Sequence, residues 1–203
     1  MNTFVEAPAG KVKVTLSQDL KCQILIFVVS PMMSTTLQVP ALRDQLMDAE
    51  TCRLFIKTVL DPSDITLNSY SEPLRVELLQ LATTLIRFMS QGLVAWRKEL
   101  IKFAWDHLKR DENICKQWAY VNVCYFIQQY EAPHKIILQV YVALLRLFNQ
   151  EVKVLQKVAL DVLTPMFSVR LKAGDGKMPS WINYTRKIVG DESQSPAHLI
   201  QIW

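Results

Sequence analysis

The stretch that decides the fold is Leu74-Arg-Val-Glu-Leu-Leu-Gln-Leu-Ala-Thr-Thr-Leu-Ile-Arg-Phe-Met-Ser90. Its apolar residues recur every three or four positions, which is the spacing of an α-helix. They form two stripes: Leu74, Leu78, Leu81, Leu85 and Phe88, and then Val76, Leu79, Ala82, Ile86 and Met89. A helix on a protein surface needs only one apolar stripe. Two adjoining stripes therefore predict a helix that packs against neighbours on two sides.

Similar amphipathic segments follow at regular intervals. Each carries an alanine at a comparable place, and Ala82, Ala119 and Ala159 are separated by 37 and 40 residues. One further helix is expected within each interval. A period near 40 residues with two helices per period is typical of HEAT or armadillo repeats. The small alanine side chain allows neighbouring helices to approach closely. The alternative is a single helical bundle whose helices have similar lengths, but two-sided apolar helices favour stacked repeats.

We therefore predict an all-α, HEAT/armadillo-like helical-repeat solenoid, an α-α superhelix. The final predicted helix reaches Trp203 with an open apolar edge, and we expect the chain to be a fragment of a longer solenoid. Residues 1–70 are predicted to form an N-terminal helical region with a linker at 61–73. Residues 72–166 form the HEAT-like repeats, and residues 167–203 start a further helical repeat.

Individual helices follow from the same periodicity and from helix-capping residues. Pro31 is expected to end the first helix, because proline removes a backbone donor from a helix interior. The expected helices cover residues 17–30, 40–60, 74–90, 93–109, 112–130, 134–148, 150–165, 179–189 and 196–203.

The composition agrees with a helical protein that is neither a membrane protein nor a dedicated nucleic-acid binder. Only 5 of the 203 residues are glycine, about a third of the average share of roughly 7%. The net charge of +4 is a weak basic excess, whereas nucleic-acid binders usually show a stronger and clustered one. The longest unbroken apolar run, Ile24–Val29, is far short of the ~20 residues of a membrane span.

The sequence contains no recognisable cluster of metal ligands. Its cysteines share no C-x-x-C spacing and are interpreted as small buried hydrophobes in a reducing compartment. They are Cys22, Cys52, Cys115 and Cys124. The histidines are isolated from cysteine and from one another, which favours surface or half-buried positions over metal ligation. They are His107, His134 and His198.

Catalytic motifs are also missing. The run Gly174-Asp-Gly176-Lys177 lacks the spacing of a phosphate-binding loop, and Met178 stands where a magnesium-binding hydroxyl belongs. A turn between helices is the better interpretation. No G-x-S-x-G, H-R-D or D-F-G motif occurs. We predict no catalytic, cofactor-binding or metal-binding residue, no cofactor and no enzymatic activity.

A group of basic residues marks the predicted helix 93–109. The cations are Lys98, Lys102 and Lys109, with Arg97, Arg110 and Lys116 nearby and with Trp96 and Trp105 interleaved. Basic residues with aromatic residues between them are one pattern of nucleic-acid binding. However, Glu99 and Asp106 dilute the charge, and Asp106 can pair with Lys102 and Arg110 at four-residue spacings. A solvated face is favoured, one that suits contact with an acidic protein partner.

Several segments resemble the HEAT-repeat region of the transformation/transcription domain-associated protein (TRRAP) family. The resemblance is firmest over about 72–166 and extends to residue 203. The segments are Glu99-Leu-Ile-Lys-Phe-Ala-Trp-Asp-His-Leu-Lys-Arg-Asp-Glu112, Gln117-Trp-Ala-Tyr120, Tyr130-Glu-Ala-Pro-His-Lys-Ile-Ile137, Gln139-Val-Tyr-Val-Ala-Leu-Leu-Arg146 and Ala159-Leu-Asp-Val-Leu-Thr-Pro165. These strings identify a family without marking a site, so no functional residue is carried over.

The resemblance implies a function that composition and spacing do not. Members of this family are very large phosphatidylinositol 3-kinase-related pseudokinases, mostly helical solenoid. They scaffold SAGA-type and MYST-type histone acetyltransferase complexes and recruit them through transcriptional activators. The expectation is a non-catalytic scaffold segment of a transcription coactivator in the nucleus. Its partners would be complex subunits and activators, with no small-molecule substrate, no membrane and no direct nucleic-acid contact. The alternatives are a HEAT segment of a nuclear-transport receptor or of an active phosphatidylinositol 3-kinase-related kinase.

Overall fold

The computed structural model describes residues 16–110, 113–146, 153–172 and 178–191. Every regular element within these ranges is helical, as the predicted all-α fold class requires. The α-helices are α1 (Gln18–Ile24), α2 (Ser30–Thr36), α3 (Pro40–Leu46), α4 (Ala49–Phe55), α5 (Asp64–Ser69), α6 (Glu72–Met89), α7 (Arg97–Leu108), α8 (Asn113–Gln129), α9 (His134–Arg146), α10 (Lys153–Leu163), α11 (Phe167–Arg170) and α12 (Ser180–Asp191). Two π-helical turns, Leu25–Val29 and Ile56–Leu60, and two 3₁₀ turns, Val94–Trp96 and Thr164–Met166, connect some of them.

The first helix continues through Pro31, so the prediction that this proline ends it is wrong. The wider π-helical turn Leu25–Val29 lies immediately before the proline and joins α1 to α2. In that turn the backbone N–H of Ser30 donates to the carbonyl of Leu25, five residues earlier. The extra residue in the turn moves the preceding carbonyls, and the proline ring then fits without the clash that it causes in a regular α-helix.

Polar caps divide the N-terminal part more finely than predicted. The expected helix 40–60 is two helices, because the Asp48 carboxylate accepts a hydrogen bond of 2.7 Å from the backbone N–H of Thr51 and begins α4. The predicted linker 61–73 contains the short helix α5, whose first turn is capped by the hydroxyl of Ser63. Each cap begins a new helix at its own position, so the chain does not continue as one long helix there.

Helix α6 buries both of its apolar stripes, which confirms the prediction of a helix packed on two sides. Its buried apolar residues are Leu74, Leu78, Leu79, Leu81, Ala82, Leu85, Ile86 and Met89. Val76 and Phe88, one from each stripe, are half-buried. Helices α1 and α2 both pack against α6. The repeated alanines also lie in the interior, since Ala82, Ala119 and Ala159 are each at most 1% exposed.

The chain forms two compact units, 1–119 and 120–203, so that α8 contributes residues to each. In the first unit, α7 packs against the π-helical turn Ile56–Leu60. In the second unit, α9 packs against α10 and α12. The predicted subdivision at residues 70 and 166 stays a proposal. The predicted turn at 174–176 and the predicted helix 196–203 lie outside the described residues.

Candidate functional site

The residue types that carry metal or thiol chemistry are dispersed. Over the part of the chain that the structure describes, no three His, Cys, Asp or Glu side chains are grouped so that they could hold a metal ion. All four cysteines are reduced and buried, as the sequence predicted. Burial raises the pKa of the Cys124 thiol far above its ordinary value, which leaves it without the thiolate that reacts. None of the described helices is both long enough and apolar enough to cross a membrane.

The histidines differ from one another in exposure. His107 is fully buried, so the expectation of a surface or half-buried position is wrong for it. Its Nδ1–H donates to the carbonyl of Phe103 over 2.7 Å, and the two rings lie 4.6 Å apart between centroids. This bond to the preceding helical turn satisfies one ring nitrogen and lets the imidazole pack as a core aromatic. His134 is exposed at the start of α9, and residue 198 lies outside the described ranges.

Helix α7 forms ion pairs with Lys57, which lies in the π-helical turn Ile56–Leu60, and with Asp61, which directly follows that turn. The Lys102 ammonium lies 2.7 Å from a carboxylate oxygen of Asp61. Lys57 lies 3.3 Å from Glu99 and 4.0 Å from Asp61. These four residues form one network of alternating charge. The hydrogen bond that the Lys102 ammonium donates to the Asp61 carboxylate raises the pKa of Lys102. All four side chains retain some solvent exposure.

Two further cations of the face, Lys109 and Arg110, also have partners within the chain, though not those that the sequence predicts. Asp106 lies 3.2 Å from Lys109, not against Lys102 or Arg110. Arg110 donates to the side-chain oxygen of Asn68 over 2.6 Å. The predicted pairing is wrong because segments distant in sequence place better-oriented acceptors beside both cations. Part of the positive charge of this face is therefore compensated within the chain, which weakens its resemblance to a nucleic-acid footprint.

One of its tryptophans also contacts a cation from elsewhere in the chain. The ammonium of Lys57 lies 5.2 Å from the centroid of the Trp96 ring, within the range of a cation–π contact. Trp96 and Trp105 are both half-buried. Their apolar area is thus partly used in packing, as the sequence periodicity predicted.

A surface that the sequence analysis did not single out lies on the first helix. Phe27 is 75% exposed, and Leu20, Val28 and Met32 are also exposed. Leu20 and Phe27 are two turns apart and lie on the same side of the helix. The signal in the sequence is the run Ile24–Val29, which is apolar on every side of the helix and so cannot all be buried by α6. Exposed apolar patches of this kind often mark interaction surfaces.

Comparison with known proteins gives a consistent picture. The family model of the Tra1 HEAT repeat ring region matches residues 9–203. The chain is 52% identical over 134 residues to the probable transcription-associated protein 1 of Dictyostelium discoideum, covering 66% of this chain and 3% of that relative. It is 36% identical over 126 residues to the SAGA complex/NuA4 acetyltransferase complex subunit TRA1 of Saccharomyces cerevisiae, covering 62% and 3%.

A human relative extends the same pattern. The chain is 28% identical over 159 residues to the human transformation/transcription domain-associated protein, covering 73% of this chain and 4% of that relative. The chain therefore spans about 3 to 4% of the length of these three relatives. The family match and the all-helical structure agree on a HEAT-repeat fold.

Proposed function

Because the chain belongs to the family of the Tra1 HEAT repeat ring region, we propose that it is a scaffold segment of a transcription coactivator and is not itself catalytic. Its partners would be protein subunits of histone acetyltransferase complexes of the SAGA and NuA4 type, and its place of action the nucleus. The observation that carries the proposal is the family match over residues 9–203, together with relatives whose names state membership of SAGA and NuA4 complexes.

The structure suits a scaffold for a physical reason. The small alanines at helix interfaces let neighbouring helices pack closely, and α6 is buried along both apolar stripes. Helical repeats stacked in this way build a continuous core and leave outer faces free for partners. The exposed side chains of the first helix, with Phe27 at their centre, provide apolar surface on such a face. Burial of apolar surface of this kind is the main driving force of association.

We extend the proposal to recruitment, in which transcriptional activators bind the same scaffold and bring the acetyltransferase to its substrate. A scaffold performs this role through surfaces rather than reactive groups. The dispersed histidines and the buried cysteines of the described residues are consistent with a role that depends on surfaces.

The test is immunoprecipitation of the native protein that contains this chain from nuclear extract at low salt. Acetyltransferase-complex subunits, identified by mass spectrometry, and histone acetyltransferase activity should both be enriched in the precipitate. Their absence would overturn the proposal. Enrichment instead of a small GTPase in its triphosphate form would indicate a transport receptor. Kinase activity that a mutation in a downstream catalytic loop removes would indicate an active kinase relative.

A further inference from the structure

A groove lies on the outer surface of the second compact unit. Leu138, Val142 and Ala143 of α9 form its floor, and Tyr184 of α12 closes one side. The groove has a volume of about 630 Å³. The three floor residues are half-buried, and Tyr184 is 45% exposed. Since α9 and α12 pack against each other, the groove is held by two helices and not by a loop.

The two ends of the groove are positively charged. Lys135 lies at one end of the α9 face and Arg146 at the other. Their separation of eleven positions corresponds to ~17 Å along a helix axis, or about three turns. Neither cation forms an ion pair with any residue that the structure describes. The two helices together contain four lysine and arginine residues and one acidic residue; these are Lys135, Arg146, Arg186, Lys187 and Asp191.

We propose that this groove binds an amphipathic helix of a partner protein, about three turns long, with an apolar face and acidic residues near its ends. The inference rests on the proposed scaffold function and names the chemistry of one partner. The apolar floor matches the apolar face of such a helix, as in other helix-in-groove complexes. The cation at each end complements its acids, and the two together set its position along α9. A floor of leucine, valine and alanine favours this partner over a nucleic acid, whose phosphates it would not solvate.

The test uses the intact 203-residue chain and fluorescence anisotropy with synthetic peptides. The first probe is a helix-forming peptide of about fourteen residues with glutamates in its first and last turns and leucines at three- and four-residue spacings. A second peptide replaces the glutamates with lysines, and a third replaces the leucines with serines. The acidic amphipathic peptide should bind about tenfold or more tightly than either control, and added salt should weaken its binding.

A paired charge reversal locates the binding site. The double variant Lys135→Glu with Arg146→Glu should weaken the acidic peptide by about tenfold and strengthen the lysine peptide. The matched control is Arg53→Glu with Lys172→Glu, which also reverses one arginine and one lysine, both exposed and outside the lining of the groove. This control should leave both affinities unchanged. Far-UV circular dichroism checks that each variant is folded.

Three results would overturn the inference. The first is equal binding, or no binding, of all three peptides to the folded wild-type chain. The second is tighter binding of a single-stranded oligonucleotide that displaces the acidic peptide. The third is self-association of the chain that the Lys135 and Arg146 reversals abolish, because the occupant would then be a second copy. Co-precipitation of acetyltransferase subunits with the native protein is a separate readout, so the scaffold proposal can hold where the groove proposal fails.

Discussion

Replacing Ala82 with aspartate tests the repeat interior most sharply. Ala82 is 1% exposed in the middle of α6. Its neighbours one turn away on both sides are Leu78, Leu79, Leu85 and Ile86, none more than 1% exposed. No ionisable side chain occupies these positions, so an introduced carboxylate would have no partner along the helix.

The expected cost follows from burial of the charge. A fully buried carboxyl has its pKa raised by about 3 to 5 units above the ordinary value of about 3.9. At about pH 7 the unfolded chain is ionised and the folded chain is not, which costs about 4 kcal/mol at ~1.36 kcal/mol per unit. Overpacking by the added atoms costs a further 1 to 3 kcal/mol, roughly. A total of about 5 to 7 kcal/mol is a large part of the 5 to 15 kcal/mol, roughly, that stabilises a domain.

Urea unfolding followed by far-UV circular dichroism measures this cost, and its pH dependence identifies the cause. Because the folded-state pKa is raised, the ionisation penalty is absent below the unfolded pKa and grows as the pH rises. Lowering the pH from about 7 to about 5 should therefore reduce the destabilisation of the Ala82→Asp variant, relative to wild type, by about 2.7 kcal/mol. The matched control Ala95→Asp, at an exposed alanine, should change stability by about 0.5 kcal/mol or less at either pH. A cost below about 1 kcal/mol for Ala82→Asp, or a cost independent of pH, would refute the interior position of this alanine.

Three further predictions concern particular contacts. Asp61→Asn removes the 2.7 Å ion pair with Lys102 and should lower the free energy of unfolding by about 0.2 to 1 kcal/mol, because the pair is partly exposed. In urea unfolding at high salt, the difference in stability between variant and wild type should be smaller than at low salt. Equal differences at both salt concentrations would count against an ionic cause. Tyr70→Phe removes the hydroxyl that donates to the carbonyl of Val59 over 3.2 Å and should cost about 1 kcal/mol in urea unfolding. Burial raises the pKa of Tyr70 to about 12, so its contribution is complete below an unfolded pKa of about 10 and is lost as the pH rises towards 12; a spectrophotometric titration in which every tyrosine ionises near pH 10 would contradict this. A thiol reagent should label none of the four buried cysteines rapidly in the native chain and all of them in urea; rapid native labelling of any one would place that cysteine at the surface.

Periodicity predicted the parts of the fold that depend on burial. The two stripes of α6 and the interior alanines follow from apolar spacing alone, and the structure buries both. Spacing succeeds here because a helix has a fixed number of residues per turn, so the positions that face a neighbour are determined once the helix is known. The same reasoning gave the existence of α7, α8 and α9, with ends displaced by a few residues.

The errors arose where a tertiary or local rearrangement overrides the spacing rule. Pro31 was expected to end a helix, but the π-helical turn before it absorbs the steric conflict. Asp106 was expected to pair with Lys102 and Arg110, whereas it pairs with Lys109, and Asp61 reaches Lys102 from a segment 41 residues away in sequence. Sequence alone does not give the position of that distant carboxylate. The groove of α9 was missed for a similar reason, because its second wall comes from α12.

The measurement that tests the central proposal most directly is a native size fractionation of nuclear extract, probed with an antibody raised against residues 172–186. If the chain is a scaffold segment of a coactivator, the antibody should detect a polypeptide far larger than 23.4 kDa on a denaturing gel. That polypeptide should elute in the same high-mass fractions as histone acetyltransferase activity. Detection only of a free 23.4 kDa polypeptide, in fractions separate from all acetyltransferase activity, would contradict the proposal.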